Sequence, residues 1–274
     1  MARYRLVGRT AVLTGAGSGI GRALAHGLAG RGAHLALVER DPERLAEVAG
    51  ELRGRADLRV SAHKLDVTDR AAVAALPGEV EAVHGGADLL FNNAGIALEG
   101  YFDRVAEDDF DRVMEVNFHA VVRLTRAFMP TLRRSQDARI VNLSSIFGVI
   151  APAGQTAYSA SKFAVRGFTM ALSHELDGTN VGATVVHPGG VSTNIARDAK
   201  LSSDMTDEEK EARLAAAMKN LKMPPPRAAA IILAGVERRR RRIFVGSDAG
   251  LAQRVERLMP SSYWGLIRRV AGEL

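Results

Sequence analysis

Thr10-Ala11-Val12-Leu13-Thr14-Gly15-Ala16-Gly17-Ser18-Gly19-Ile20-Gly21 is the stretch on which the reading of the fold turns. Thr10–Leu13 has the pattern of a short strand and the glycines that of a turn. Arg22 to Arg31 then reads as a helix and Ala33–Val38 as a second strand. In such a strand–turn–helix–strand unit, glycines let the backbone turn tightly and approach a pyrophosphate. The helix N-terminus supplies N–H donors and the positive end of a dipole.

The alternation continues along the chain. Pro42–Arg53 is an amphipathic helix, and Arg59–Leu65 is a strand ending in Asp66-Val67-Thr68. Asp66 can accept from an adenine amino group or cap the helix starting near Asp69. Ala87–Phe91 is an apolar strand running into Asn92-Asn93-Ala94-Gly95, a turn suited to a crevice beyond the strand ends. Asp108–Arg134 reads as one long helix with Asn117 in its middle. Asn is a mediocre helix former, so Asn117 either bends the helix through a local hydrogen bond or is an ordinary surface residue. Arg139–Leu143 and Val181–His187 are further strands, with Gln155–Glu175 a helix between them. Strands alternating with helices imply an α/β fold, a Rossmann-type doubly wound parallel sheet with helices on both faces. With no solenoid repeat and no low-complexity linker, the 274 residues are expected to form one domain.

Composition narrows the function classes. A hydrophobic content of 47% and a charged content of 25% are those of a soluble globular protein. There is no cysteine, which excludes disulfides and thiolate chemistry. No apolar run reaches the ~18–20 residues of a membrane span. The basic Met1–Arg5 is followed by too short an apolar stretch for a secretory signal, and a cytoplasmic location is expected. Net charge is +6, of which Val236–Leu274, with nine arginines against four acids, holds +5. The basic balance therefore belongs to the tail.

Ser145 stands thirteen positions before Tyr158, and Lys162 follows Tyr158 by four. On a helix Tyr158 and Lys162 share a face, one turn apart. A phenol with a pKa near ~10 is a poor base at neutral pH, but a nearby cation favours the phenolate. Such a pair can take a proton from an alcohol or give one to a carbonyl oxygen.

Taken together, Thr14-Gly15-xxx-Gly19-x-Gly21, Asn92-Asn93-Ala94-Gly95, Asn117, Ser145, Tyr158-xxx-Lys162 and Pro188-Gly189 resemble the classical short-chain dehydrogenase/reductase family. The resemblance covers residues 7–195 firmly and the remainder loosely. It implies an NAD(P)-dependent oxidoreductase interconverting a small-molecule alcohol and ketone. Tyr158 would be the general acid/base, and Lys162 would lower the Tyr158 pKa and hold the nicotinamide ribose. Ser145 would hold the substrate oxygen, and Asn117 a water linking Lys162 to solvent. Gly15, Gly19 and Gly21, with Ser18 and Ile20, would form the pyrophosphate turn. Asp66, Val67, Asn93, Ala94, Gly95, Pro188, Gly189, Val191 and Thr193 would line the cofactor, and no metal is needed. Glu39 and Arg40 close the second strand and pull in opposite directions. The carboxylate suits the ribose hydroxyls of NAD, whereas the guanidinium suits the 2′-phosphate of NADP. The position of Glu39 at the strand end tilts the reading to NAD.

Two stretches bear on the substrate and on partners. Phe147–Gln155 is apolar and loop-like, and 195–223 is expected to be a lid. That lid has a polar part, Ser202–Lys210, then an amphipathic helix carrying Leu214, Met218 and Leu221. With Phe147, Val149 and Ile150 at a pocket edge, these suggest an apolar substrate. His187, before the Pro-Gly turn, is a lone histidine of the kind more often structural and receives no role. After Arg238–Arg242 and a last strand at Ile243–Gly246, the tail 247–274 carries Leu251, Val255, Leu258, Met259, Tyr263, Trp264, Ile267 and Val270 among arginines. Packing on the domain, or on a second subunit of a homo-oligomer, is favoured over an anionic membrane surface. No base-reading motif accompanies the arginines, so no specific nucleic-acid partner is expected. Other readings from other classes are a nucleotide-binding, membrane-peripheral interaction protein and a non-redox epimerase with a retained cofactor.

Overall fold

Thr10–Thr14 (β1) is buried at every position, so both faces of its sheet are covered. The computed structural model describes residues 3–54, 57–201 and 205–266, without the side chains of residues 207, 216–218 and 220. In chain order the strands are β1, β2 (His34–Glu39), β3 (Val60–Lys64), β4 (Leu89–Asn92), β5 (Leu98–Glu99), β6 (Ala138–Leu143), β7 (Val181–Pro188), β8 (Lys200–Leu201) and β9 (Arg242–Val245). Seven of them form one sheet in the order β3-β2-β1-β4-β6-β7-β9, every pair parallel. The short β5 and β8 pair separately. The order reverses direction between β1 and β4, the place where open α/β sheets leave a crevice beyond the strand C-termini.

The helices are α1 (Gly19–Ala29), α2 (Pro42–Arg53), α3 (Arg70–His84), α4 (Glu107–Met114), α5 (Ala120–Arg134), α6 (Thr156–Glu175), α7 (Asp207–Asn220), α8 (Pro225–Glu237) and α9 (Ser247–Leu258). One layer buries Leu24 and Leu28 of α1, Val48 and Leu52 of α2, and Ile232 and Leu233 of α8. The other buries Leu76 and Val80 of α3, Leu124 and Phe128 of α5, and Leu176 after α6. Each such side chain removed from water contributes about 1.5–3 kcal/mol, which holds the layers to the sheet. No helix among the described residues is long and apolar enough to cross a membrane.

Three features depart from the pattern expected of the sequence. The long helix expected over 108–134 is interrupted: Glu115–His119 forms a π turn between α4 and α5. Helix α8 was not foreseen, although Pro225 at its first turn and the run Ala228-Ala229-Ala230-Ile231-Ile232-Leu233 signal one. The cap of α3 is Asp69, whose carboxylate accepts from Ala71 and Ala72 N–H, and not Asp66.

At the edge strand β3 a chain of polar groups sits under α3. The Ser61 hydroxyl lies 2.8 Å from His63 Nε2 and 2.9 Å from His84 Nε2, and His63 Nδ1 lies 2.8 Å from Glu79. Burial, reinforced by Arg59, His34 and His63, lowers the His84 pKa to about 4 from an ordinary 6.5. Between those values the unfolded chain binds more protons than the folded one, so stability falls as pH drops from about 6.5 towards about 4. The gap corresponds to roughly 3 kcal/mol. Urea titrations across this range should show the loss, and His84→Leu should flatten it. An equally steep loss in the variant would assign it to other groups.

Candidate active site

The ends of β1 and β4 are fastened together by side chains. Thr14 Oγ1 donates to the Phe91 carbonyl (3.3 Å) and accepts from the N–H groups of Asn93 (3.0 Å) and Ala94 (3.1 Å). The Asn93 amide donates to the carbonyls of Thr14 and Gly15, each at 3.0 Å. Gly15 has a φ of 63°, and a Cβ there would lie 2.9 Å from Ala94 Cα. A Cβ on Gly21 would lie 1.9 Å from the Gly15 carbonyl oxygen. These glycines let the turn, the start of α1 and the β4 loop touch one another. Asn92, expected at the crevice, is the last residue of β4 and points into the core. Its amide donates to Asn142 Oδ1 at 2.7 Å, and Asn142 in turn donates to Thr169.

Across the crevice, β6 delivers Ser144 and Ser145, and the first turns of α6 carry Tyr158 and Lys162. Ser145 is 9% exposed; its hydroxyl accepts from Phe147 N–H at 3.1 Å and stands close enough to the Tyr158 phenol to act on its pKa. Lys162, 3% exposed, donates to the Leu143 carbonyl at 3.0 Å, with Nζ 5.6 Å from the Tyr158 ring centroid. Asn117 is fully buried in the π turn. Its Oδ1 accepts from Ile96 N–H (2.9 Å), while its two amide hydrogens go to the Ile96 carbonyl and Ser161 Oγ, both at 3.0 Å. The π turn therefore clamps α4–α5 to the β4 loop and to α6, in keeping with the placement of such bulges at functional sites. A Cβ on Gly95 would lie 3.2 Å from Asn117 Oδ1 and 3.4 Å from Lys162 Nζ, so both side chains converge on that glycine. Burial raises the Tyr158 pKa, with the Ser145 hydrogen bond pulling the other way. Burial lowers the Lys162 pKa to about 8.

The remaining residues expected to contact a cofactor fall into two groups. Glu39 reaches back to the glycine turn: Oε2 accepts from Gly17 N–H at 3.1 Å, and Oε1 from the N–H groups of Arg40 and Asp41. Arg40 is exposed. Asp66 accepts from Thr68 N–H and Oγ1 and pairs with Arg112 at 3.1 Å. Those bonds outweigh burial and hold the Asp66 carboxyl below its usual range. Thr193 packs beside Gly19, where both border a cleft of about 590 Å³ with Arg22, His26 and Asn194. Val67 and Val191 are buried and join the hydrophobic layers on the two faces of the sheet. Ile20 packs against the same core. A dinucleotide fits this arrangement. The glycine turn leaves no side chain over the start of α1, and no side chain caps that helix at Ser18.

Several supporting residues were not foreseen. Thr14 and Ser161 carry no signal beyond their places before the glycine turn and before Lys162. Asp248, at the start of α9, accepts from Gly190 N–H at 2.6 Å and fills the space a Cβ on Gly189 would need, so α9 braces the Pro188-Gly189 turn.

On the substrate side the Phe147 ring stands edge-on to Tyr158, centroids 6.1 Å apart. Val149 and Ile150, expected at a pocket edge, are covered instead, at 1% and 7% exposure. Leu214 points outward at 38% exposure, contrary to an inward apolar face on α7. The Met218 side chain lies outside the described residues, as do residues 202–204 of the polar stretch. The segment after the Pro-Gly turn is held to residues 98–109 by the β5–β8 pairing and by ion pairs Lys200–Asp109 and Arg213–Glu99. In the tail, the Tyr263 hydroxyl accepts from Ala151 N–H at 3.0 Å. Trp264 lines a cleft of about 580 Å³ with Ala151, Pro152 and Phe163. The arginine run is partly absorbed too: Arg239 pairs with Asp137, Arg241 with Asp177, and Arg242 lies over the Phe244 ring. Ile267 and Val270 lie outside the described residues.

The family model described as short chain dehydrogenase matches residues 9–204. The chain belongs to the short-chain dehydrogenase family. It is 42% identical over 262 residues to the putative oxidoreductase SadH of Mycobacterium tuberculosis, covering 95% of this chain and 94% of that protein. The oxidoreductase UcpA of Escherichia coli is 36% identical over 224 residues, 80% of this chain and 84% of its own. Among solved structures, a short chain dehydrogenase/reductase from Burkholderia phymatum in complex with NAD superposes with a TM-score of 0.85. It is 29% identical and covers 93% of this chain and 95% of its own.

The burial of Lys162 has a measurable cost. Its folded pKa of about 8 lies below the ordinary 10.5, so the unfolded chain binds more protons between those values and stability rises with pH across that window. At pH 7 the charged ammonium is held against desolvation at a cost of roughly 3 kcal/mol. Lys162→Met should therefore unfold at higher urea at pH 7, and its advantage should shrink as pH rises from 8 to 10. A gap that stays constant with pH would contradict this origin.

Proposed function

We propose that the protein is an NAD-dependent oxidoreductase that interconverts a secondary alcohol and the matching ketone on an apolar small molecule. One observation carries the reading. Ser145, from the end of β6, Asn117, from the π turn, and Tyr158 and Lys162, both from α6, come from three separate elements and meet at the C-terminal edge of the sheet, opposite the glycine turn. The NAD held by the Burkholderia phymatum relative supports the choice of cofactor. Bound along the crevice, a nicotinamide dinucleotide supplies the acceptor or donor of hydride.

The chain's own residues handle binding and the proton. Gly15, Gly19, Gly21 and the α1 N-terminus take the pyrophosphate. Glu39 takes the adenosine ribose, and the segment Pro188–Thr193 closes over the nicotinamide end. Ser145 donates to the substrate oxygen. In reduction the Tyr158 phenol gives its proton to the carbonyl oxygen, and in oxidation the phenolate takes the hydroxyl proton. Since burial favours the neutral phenol, ketone reduction runs best at lower pH than alcohol oxidation. Lys162 holds the nicotinamide ribose and supports the phenolate. Asn117 spends both amide hydrogens inside the protein, so a relay water at this residue is held through an oxygen lone pair. We assign residues 195–223 as a lid over the substrate, within a single domain. Phe147 beside Tyr158 favours apolar substrates. Exposed Phe163 and Met170, two turns apart on α6, favour a homo-oligomer. A cytoplasmic location follows from the cofactor.

Tyr158→Phe should lower kcat by about 10²–10⁴-fold while leaving NAD binding near wild type, measured by nicotinamide absorbance and fluorescence titration. Full activity in that variant would remove Tyr158 from its role. Glu39→Gln keeps an acceptor for Gly17 N–H and removes the charge. It should raise the kcat/KM for NADP relative to NAD about tenfold. An unchanged ratio would show that Glu39 does not select the cofactor.

A further inference from the structure

We propose that His187 is a positioning residue for the oxidoreductase site proposed above: by holding the Ser145 carbonyl it sets where the Ser145 hydroxyl stands relative to Tyr158. The inference rests on that functional reading. Its geometric half does not.

The β6–β7 ladder makes its last rung where Ser144 N–H donates to the Val186 carbonyl (2.9 Å). Ser145 then leaves the sheet, and its carbonyl is held from two sides. Gly148 N–H donates to it within the local turn (3.0 Å), and His187 Nδ1 reaches it from β7 (3.1 Å). The turn bond fixes Ser145 only relative to its neighbours. The His187 bond fixes it relative to the sheet, and hence to every other part of the site. A carbonyl oxygen only accepts, so Nδ1 carries the proton.

The ring itself has little freedom. His187 is fully buried and stacks on Phe244, its partner in the β7–β9 register, with centroids 5.1 Å apart and planes 21° apart. Arg242 covers the same Phe244 ring at 4.9 Å. His187 Nε2 is buried and has no hydrogen-bond partner among the described residues. A side chain needed only for packing would not carry that cost, since an aromatic hydrocarbon fills the same stack. Burial lowers the His187 pKa to about 3. The bond to Ser145 opposes that shift, and Arg242 on β9 and Arg166 on α6 add to it. Glu256 on α9 acts on Arg242 in turn. The imidazole is thus a neutral, single-tautomer donor across the working pH range.

Two substitutions separate positioning from packing. His187→Phe keeps the stack and loses the donor, whereas His187→Asn places an amide N–H at the δ position. His187→Phe should lower kcat roughly ten- to a hundredfold with KM for NAD unchanged. It should also move the rise of alcohol oxidation to higher pH, because the Ser145 hydrogen bond that favours the phenolate is lost. His187→Asn should restore both. Nitrogen-15 NMR of the wild-type imidazole, free of any substrate, should show Nδ1 protonated and Nε2 bare from pH 5 to 9. A bare Nδ1, a titration within that range, or a His187→Phe enzyme with wild-type kcat and pH profile would overturn the proposal. So would loss of activity in both variants without rescue. A wild-type protein that binds NAD but turns over no alcohol or ketone would sink the functional reading instead, with the tautomer still deciding the contact to Ser145.

Discussion

The bonds between Thr14 and Asn93 are the constraint on which the rest of this molecule depends. Adjacent parallel strands β1 and β4 pair along their length, but the ladder says nothing about the loops beyond it. At that point the order of strands reverses and the two loops would otherwise splay apart. A hydroxyl and an amide, each used more than once, hold the glycine turn against the start of the β4 loop. The glycines make the contact possible by having no side chain, and the polar pair makes it stable. A crevice of fixed width is the consequence, and the elements on either side are placed relative to it.

The same placement sets up a conflict between burial and charge. Helix α6 brings Tyr158 and Lys162 against the ends of β4 and β6, where little water reaches. Proximity of an ammonium to a phenol is expected to favour the phenolate. In the folded protein desolvation is the larger effect on both groups, raising the phenol and lowering the ammonium. At neutral pH the site therefore holds a neutral phenol beside an ammonium that stays charged at a cost in stability. The stability spent on Lys162 is consistent with that arrangement, since a structural position would be filled more cheaply by an apolar residue.

Much of this was legible from local pattern, and the reasons for the exceptions are physical. Pro42–Arg53 reads directly as a helix because Asp41 caps it, Pro42 starts it and its apolar spacing is regular. The tilt from turn to strand to helix near Ser145 and Tyr158 is equally local. The π turn at Asn117 is not, because an extra residue in a helix is set by partners at Ile96 and Ser161, far away in sequence. Val149, Ile150 and Leu214 were assigned by hydrophobicity alone, and hydrophobicity does not say which apolar neighbour covers a residue. Asp248 and His187 act through backbone groups of other segments, so nothing in their immediate surroundings marks them.

The stretch between Ser145 and Tyr158 shows why reaction class and substrate class separate in such a fold. Its two ends are set by β6 and α6, which belong to the sheet and its covering layer. Its middle is set from outside. Ala151 N–H is accepted by Tyr263, and Trp264 packs beside Pro152 and Phe163, so the tail shapes the loop. From the other direction, residues 98–109 hold the segment after the Pro-Gly turn through β5–β8 and two ion pairs. Ser145 and Tyr158 can therefore stay in place while the tail and the segment after the Pro-Gly turn change. The tail thus braces the loop between Ser145 and Tyr158, even though its residues stand more than a hundred positions from the loop they hold.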